Sequence, residues 1–244
     1  GNASAQYALG WMYENGEGLK KDYRQAFIWY LKSAKRDHAP AQTNLGWMYE
    51  NGKGVEQDNA KAVGWYKKSA ELGQAEGELN LGIMYKSGKG VDKDYLQAIF
   101  WFEKSAVQGN TNAQLNLGII YKNGKGVKTD YTQAVYWLKK AADKGHSAAL
   151  TNLGWLYENG KGVAQDYTKA ALLYKKAADK GKAEGQLNLG IMYNKGRGVI
   201  QDHQEAVVWF KKAAEQGLAE AQLNLGIMYK FGRGVDEFVH DTEI

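Results

Sequence analysis

The chain has 244 residues, of which 44% are hydrophobic and 24% charged, and 27 acidic side chains are interspersed among 32 basic ones to leave a net charge of +5. Its lack of cysteine excludes a disulfide framework, a thiolate metal site and a thiol nucleophile. No apolar stretch approaches the length of a bilayer span, so a soluble segment is expected, with the choice between cytoplasm and a secreted or periplasmic compartment left open.

The chain holds one proline, Pro40, and 30 glycines that recur at fixed phases, which marks them as structural punctuation rather than disorder. The core Leu-Gly-x-x-Tyr returns every 36 residues, at Leu9, Leu45, Leu81, Leu117, Leu153, Leu189 and Leu225. Units of this size cannot bury an apolar face alone and must stack on their neighbours. Gly1 holds the phase of Gly73, Gly109, Gly145, Gly181 and Gly217, so the chain is expected to begin on a repeat boundary.

Each repeat reads as two helices. In the first, Ala113, Leu117, Ile120 and Tyr121 form the apolar stripe of an amphipathic helix, and Asn123-Gly124-Lys125-Gly126-Val127 ends it. The second starts at Asp22, Asp58, Asp94, Asp130, Asp166 or Asp202, which read as N-caps. Gln25, Gln97, Gln133 and Glu205 stand three residues later, as a capping box requires. Trp29, Trp65, Trp101, Trp137 and Trp209 fall at one second-helix phase and are expected in the core. The repeats run through residues 1–235, and residues 236–244 form a non-repeat tail.

The combined pattern, complete in the fourth repeat from Ala113 through Leu117, Gly118, Tyr121, Gly124, Gly126, Asp130, Ala134, Trp137 and Lys140 to Gly145, resembles the Sel1-like repeat family, relatives of the tetratricopeptide repeats. Leu173 in place of the second-helix tryptophan, and Asn59 and His203 in place of an aromatic, are the departures. The resemblance implies an all-α fold, an αα-superhelical solenoid of six full repeats and a final partial one. It also implies a bacterial adaptor or host-interaction module that binds a protein or peptide and needs no cofactor. The cysteine-rich branch of the family, associated with β-lactam binding, is excluded by the absence of cysteine.

At 100° per residue, the positions two before and two after each core leucine lie opposite to it and are expected on the concave surface. They include Tyr7, Trp11, Trp47, Leu79, Ile83, Leu115, Ile119, Trp155, Leu187 and Ile191, a nearly apolar stripe that reads either as inter-repeat packing or as a peptide groove. Trp11, Trp47 and Trp155 stand out as anchors because the pattern does not call for tryptophan there. Beside them runs an asparagine column, Asn44, Asn80, Asn116, Asn152 and Asn188, continued at Asn224. It is expected either to stitch repeats together or to clamp a ligand backbone. Glu14, Glu50 and Glu158 alternate with Lys86, Lys122 and Lys230, giving acidic and basic zones. Thr43-Asn44-Leu45-Gly46-Trp47 returns 108 residues later as Thr151-Asn152-Leu153-Gly154-Trp155, as though three repeats had been copied.

Other functions fit less well. Structural assembly through the convex or turn surfaces is the alternative. Lys53, Lys89, Lys125, Lys161, Arg197 and Arg233 form a turn ladder that could meet phosphates, but no stacking aromatics are expected beside it. His38, His146, His203 and His240 have no metal-ligand spacing, and no nucleophile has a paired histidine, so no hydrolase or other enzyme is expected. After Val235 the repeat stops, and the reading is that the natural protein continues, that Phe231, Phe238 and Val239 cover the open end, or that the tail is an added sequence; its acidic-apolar character would suit a neighbouring molecule, and Thr242-Glu243-Ile244 has the form of a carboxyl-terminal PDZ ligand.

Overall fold

A computed structural model describes residues 2–234, and among these there are thirteen α-helices and no strand. The first helices of the repeats are α1 (Ala3–Asn15), α3 (Ala39–Asn51), α5 (Ala75–Ser87), α7 (Thr111–Asn123), α9 (Ser147–Asn159), α11 (Ala183–Lys195) and α13 (Ala219–Lys230). Between them lie α2 (Tyr23–Ala34), α4 (Asn59–Glu71), α6 (Tyr95–Val107), α8 (Tyr131–Asp143), α10 (Tyr167–Asp179) and α12 (His203–Glu215). What the sequence leads one to expect of residues 236–244, including the cover from Phe238 and Val239 and the PDZ-like ending, lies outside the described residues.

Two compact units divide within α7, between Leu117 and Gly118, with Lys125–Lys128 belonging to the first. Each is a stack of helix pairs, and the fold is a tandem helical-repeat solenoid of the expected class.

The helix ends follow from the sequence. Gly52 closes α3 in the left-handed region at φ 64°, and its N–H donates to the Met48 carbonyl. Asp58, extended at φ −152°, opens α4 by accepting from the Lys61 N–H. The capping box forms only by half. Asp22 accepts from the N–H groups of Arg24 and Gln25, but its own N–H donates to the Tyr13 carbonyl at 2.9 Å. The same carbonyl at Tyr49, Tyr85, Tyr121, Tyr157 and Tyr193 receives every later Asp N–H, leaving none for a returning Gln or Glu side chain. The repeat tyrosine therefore closes the hinge between the two helices through its backbone.

The core lies between the paired helices, and its centre is one residue beyond the second-helix tryptophan. Tyr30, Tyr66, Phe102, Leu138, Tyr174 and Phe210 are buried there, each worth about 1.5–3 kcal/mol of burial. They press on the Leu-Gly glycine: a Cβ at Gly46 would stand 2.5 Å from the Tyr66 ring. Trp101, Trp137 and Trp209 are buried beside them as expected. Trp29 and Trp65 are only half-buried, with the ammonium groups of Lys32 and Lys68 over their rings at 4.0 and 4.5 Å.

Stacking of one repeat on the next needs the second turn glycine. At Gly162, φ 71°, a side chain would overlap the backbone of Tyr131 at the start of the preceding second helix. Asp37 is the described non-glycine residue with positive φ, 55°, at a phase held by glycine in the later repeats.

The two units differ in one tie. In the first, Ser33, Ser69 and Ser105 donate to the Ala3, Ala39 and Ala75 carbonyls at 2.7, 2.9 and 2.6 Å, joining the end of each second helix to the start of its first. In the second unit that position is Ala141, Ala177 and Ala213, which are buried with no group to donate.

Candidate functional site

The expected surface stripe divides in two. Thr43, Leu79 and Leu187, two residues before the core leucine, are buried, Leu79 at 3% and Leu187 at 5% exposure, and Tyr7, Leu115 and Thr151 are half-buried. Leu79 and Leu187 are therefore corrected from groove to packing. Leu187 shares a cluster with Phe210 and Ala213 of α12 and with Ala221 of α13, because the next repeat closes over the early turns of α11. Two residues after the leucine, access survives: Trp11 is exposed at 40%, and Trp47, Ile83, Ile119, Trp155 and Ile191 are half-buried. Tyr7 and Trp47 pack on the cluster around Tyr30 and Leu45, and Tyr7 also meets the His38 ring at 4.9 Å.

The asparagine column has a structural task at two positions. Asn116 and Asn152 each donate to the carbonyl four residues back, of Asn112 and Ala148, at 2.8 Å, and each accepts from a lysine of the preceding repeat, Lys86 or Lys122, at 2.6 Å. Of the two expectations for this column, stitching is the one seen here. Asn44, Asn80 and Asn188 are half-buried on the same face. Burial holds the Lys86 and Lys122 ammonium groups below the usual lysine range, with Lys125 adding to the effect at Lys86.

The acidic positions have partners that the sequence reading missed. The Tyr30, Tyr66 and Tyr174 hydroxyls donate to Glu14, Glu50 and Glu158, the last two at 2.9 and 2.8 Å. Burial first, and the neighbouring carboxylate after it, push these phenols well above the usual tyrosine range. A spacing of 16 residues carries the signal: where the first-helix residue is Glu the second-helix residue is Tyr, and where it is Lys86 or Lys122 the partner is Phe102 or Leu138.

The turn ladder also differs from expectation, since aromatics do accompany it. Lys53, Lys161 and Arg197 lie over the rings of Tyr23, Tyr131 and Tyr167 at 5.5, 5.6 and 5.5 Å. Lys89 and Arg197 also approach Glu50 and Glu158, each at 3.8 Å. These cations are held over rings and beside carboxylates, and the aromatic faces they cover are closed to base stacking.

In the second unit the accessible stripe deepens into a cleft of about 300 Å³ lined by Lys122, Ala148, Thr151, Asn152, Trp155, Lys182, Glu184 and Asn188. The Lys122 ammonium stands 4.9 Å from the Trp155 ring centre, and Lys182 pairs with Glu184 at 2.9 Å. Sequence reasoning singled out Asn152, Trp155 and Asn188 but missed Lys182 and Glu184. Lys182 stands at the N-cap of α11 and makes no side-chain cap, whereas Gln74 caps α5 at the same phase. A residue that cannot accept at a cap phase was the available signal. Among the described residues no group of histidine, aspartate and glutamate side chains is placed to hold a metal ion, and no helix is long and apolar enough to cross a membrane.

The Sel1 repeat profile matches residues 3–38, 39–74, 75–110, 111–146, 147–182, 183–218 and 219–241. The chain is similar to the solved structure of c5321, described as a protective antigen present in uropathogenic Escherichia coli strains and displaying an SLR fold. Identity is 41% over 95% of this chain and 50% of that one, with a TM-score of 0.90. The chain thus spans about half the length of that relative. It is also similar to a Sel1 repeat protein from Oxalobacter formigenes, 32% identical over 97% of this chain and 91% of the other, TM-score 0.85. A Sel1 repeat protein from Klebsiella pneumoniae, 22% identical over 82% of this chain and 97% of the other with a TM-score of 0.52, shares the fold. No functionally curated protein matches. With the profile matched seven times between residues 3 and 241, the chain belongs to the Sel1 repeat family.

Proposed function

We propose that this chain is a non-catalytic adaptor or scaffold that holds a peptide segment of a partner protein on the face formed by the first helices of its repeats. Sel1 repeat proteins are generally protein-interaction scaffolds. The observation that carries the reading here is the Trp155 cleft, where a half-buried indole off the repeat pattern meets polar groups that converge on it. Trp47 holds the same phase in the first unit. Likeness to a protein described as a protective antigen supports a bacterial host-interaction setting for the partner.

The test compares the intact chain with a Trp47→Ala, Trp155→Ala variant, both shown to be folded by circular dichroism, as bait in lysates of source and host cells. A partner held by the first and lost by the second supports the reading. Equal retention of every partner by both overturns it.

A second reading, assembly through the second helices, has its own observation. Ile28, Phe100, Tyr136, Leu172 and Val208 hold one phase of α2, α6, α8, α10 and α12, and all are exposed. Leu172→Glu separates this reading from the first: it lowers the sedimentation coefficient if that face holds copies together, and leaves peptide capture intact.

A further inference from the structure

We propose that the Trp155 cleft recognises a side-chain carboxylate next to an apolar residue in an acidic partner peptide, and that its copy around Trp47 has lost this preference. The inference deepens the peptide-binding reading and rests on it.

Three observations carry it. First, the cleft holds two ammonium groups with different partners. Lys182 is neutralised by Glu184 at 2.9 Å, whereas Lys122 forms no salt bridge among the described residues. The Lys122 ammonium donates one hydrogen bond, to the Asn152 carboxamide oxygen at 2.6 Å, and an ammonium has three to give. Second, that ammonium is positioned in advance. Asn152 is itself anchored to the Ala148 carbonyl at 2.8 Å, and the Trp155 ring lies 4.9 Å below the charge. A ligand carboxylate would meet a fixed cation in a partly dry wall, where ion pairing is stronger than in bulk water. The part of the half-buried Trp155 ring left open beside the ammonium would carry the neighbouring apolar side chain.

Third, the duplication alters the charge and keeps the rest. Thr151, Asn152, Trp155, Glu184 and Asn188 have Thr43, Asn44, Trp47, Glu76 and Asn80 as their counterparts 108 residues earlier, but Lys122 is matched by Glu14 and Lys182 by Gln74. Glu14 accepts from the Tyr30 hydroxyl, so an anion is built into the first site where the second holds a cation. The reversal goes with the core side chain sixteen residues on, Tyr30 after Glu14 and Leu138 after Lys122, and it leaves the two sites with opposite charges for a ligand to meet.

The test follows the Trp155 indole N–H by NMR while the full chain is titrated with three probes: N-acetyl-Asp-Phe-amide, N-acetyl-Asn-Phe-amide and N-acetyl-Lys-Phe-amide. The expected result is a preference of roughly tenfold for the Asp probe over the Asn probe, equivalent to about 1.4 kcal/mol. Lys122→Gln, which keeps a donor for Asn152, is expected to abolish that preference. Lys122→Glu with Lys182→Gln, the charges of the first site, is expected to turn it toward the Lys probe. Equal binding of the Asp and Asn probes overturns the carboxylate proposal and leaves the groove reading standing on partner capture. A Trp155 signal that no probe moves also overturns it, and a preference that survives Lys122→Gln does the same.

Discussion

In the second repeat Glu50 accepts a hydrogen bond from the Tyr66 hydroxyl, while in the third the same positions hold Lys86 and Phe102 and the lysine reaches forward to Asn116. The backbone is the same in both, yet the polar tie runs within one repeat in the first case and between two in the second. The cause is the hydroxyl. A buried tyrosine needs an acceptor, and the carboxylate one turn beyond the core leucine is the group in reach. With phenylalanine or leucine in the core, that position is released, and its lysine spends a hydrogen bond on the next asparagine. The choice at this one phase decides whether a repeat strengthens itself or its junction with the following repeat, the two terms that set the stability of a repeat array.

The comparison can be broken most severely at the glycine under each core side chain. Gly46→Ala drives a methyl into a Tyr66 ring held at its far end by Glu50, and it is expected to lose about 3 kcal/mol, the upper end of overpacking. Gly118→Ala meets the side chain of Leu138, which has no such tether, and is expected to lose about half as much. Thermal denaturation of the two variants measures the difference, and equal losses would show that the tether does not stiffen the ring.

Tyr66→Phe tests the tie itself. It leaves Glu50 half-buried without its donor and is expected to lose about 1.5–3 kcal/mol. Adding Glu50→Lys recreates the third-repeat solution, with Asn80 standing 30 residues on as Asn116 does from Lys86, and is expected to recover part of the loss. A double variant less stable than Tyr66→Phe alone would mean that the two solutions are not interchangeable.

The smallest expected effect concerns Glu78, buried in the third repeat at a phase where Gln42, Gln114 and Gln186 stand in others. Burial raises its carboxyl above the ordinary range, while Lys104 and the hydrogen bond from Gln108 oppose the shift. A folded-state pKa above the unfolded value means that the ionised side chain lowers stability at neutral pH, and that this penalty fades as pH falls through the raised pKa toward the ordinary one. Glu78→Gln can still accept from Gln108, as Gln186 accepts from Gln216 at 2.8 Å. The variant is expected to melt higher than the parent at pH 7, with the gain shrinking at pH 4. A constant gain across that range would rule out ionisation as its source.

Much of this was legible in the sequence. The period, the Asp caps and the left-handed turn glycines are local rules, and each formed where its residues stand. The tyrosine–glutamate tie was written as a 16-residue covariation inside one chain, open to any reading that aligned the repeats against one another. The exposure of the stripe was not legible. Leu79 and Ile83 lie on the same side of α5, yet one is buried and the other half-open, because burial at those positions depends on where the next repeat closes.

Periodicity and helix-end chemistry by themselves determined the all-α fold, the length of the repeat and the positions of its turns, since these depend on contacts within one unit of 36 residues. Only the tertiary structure decided which apolar residues remain open, which lysine is left with hydrogen bonds to give, and that Trp155 sits in a cleft. Those properties belong to pairs of neighbouring repeats, whose close approach is set by side chains 30 or more residues apart, and no local rule reads across that distance.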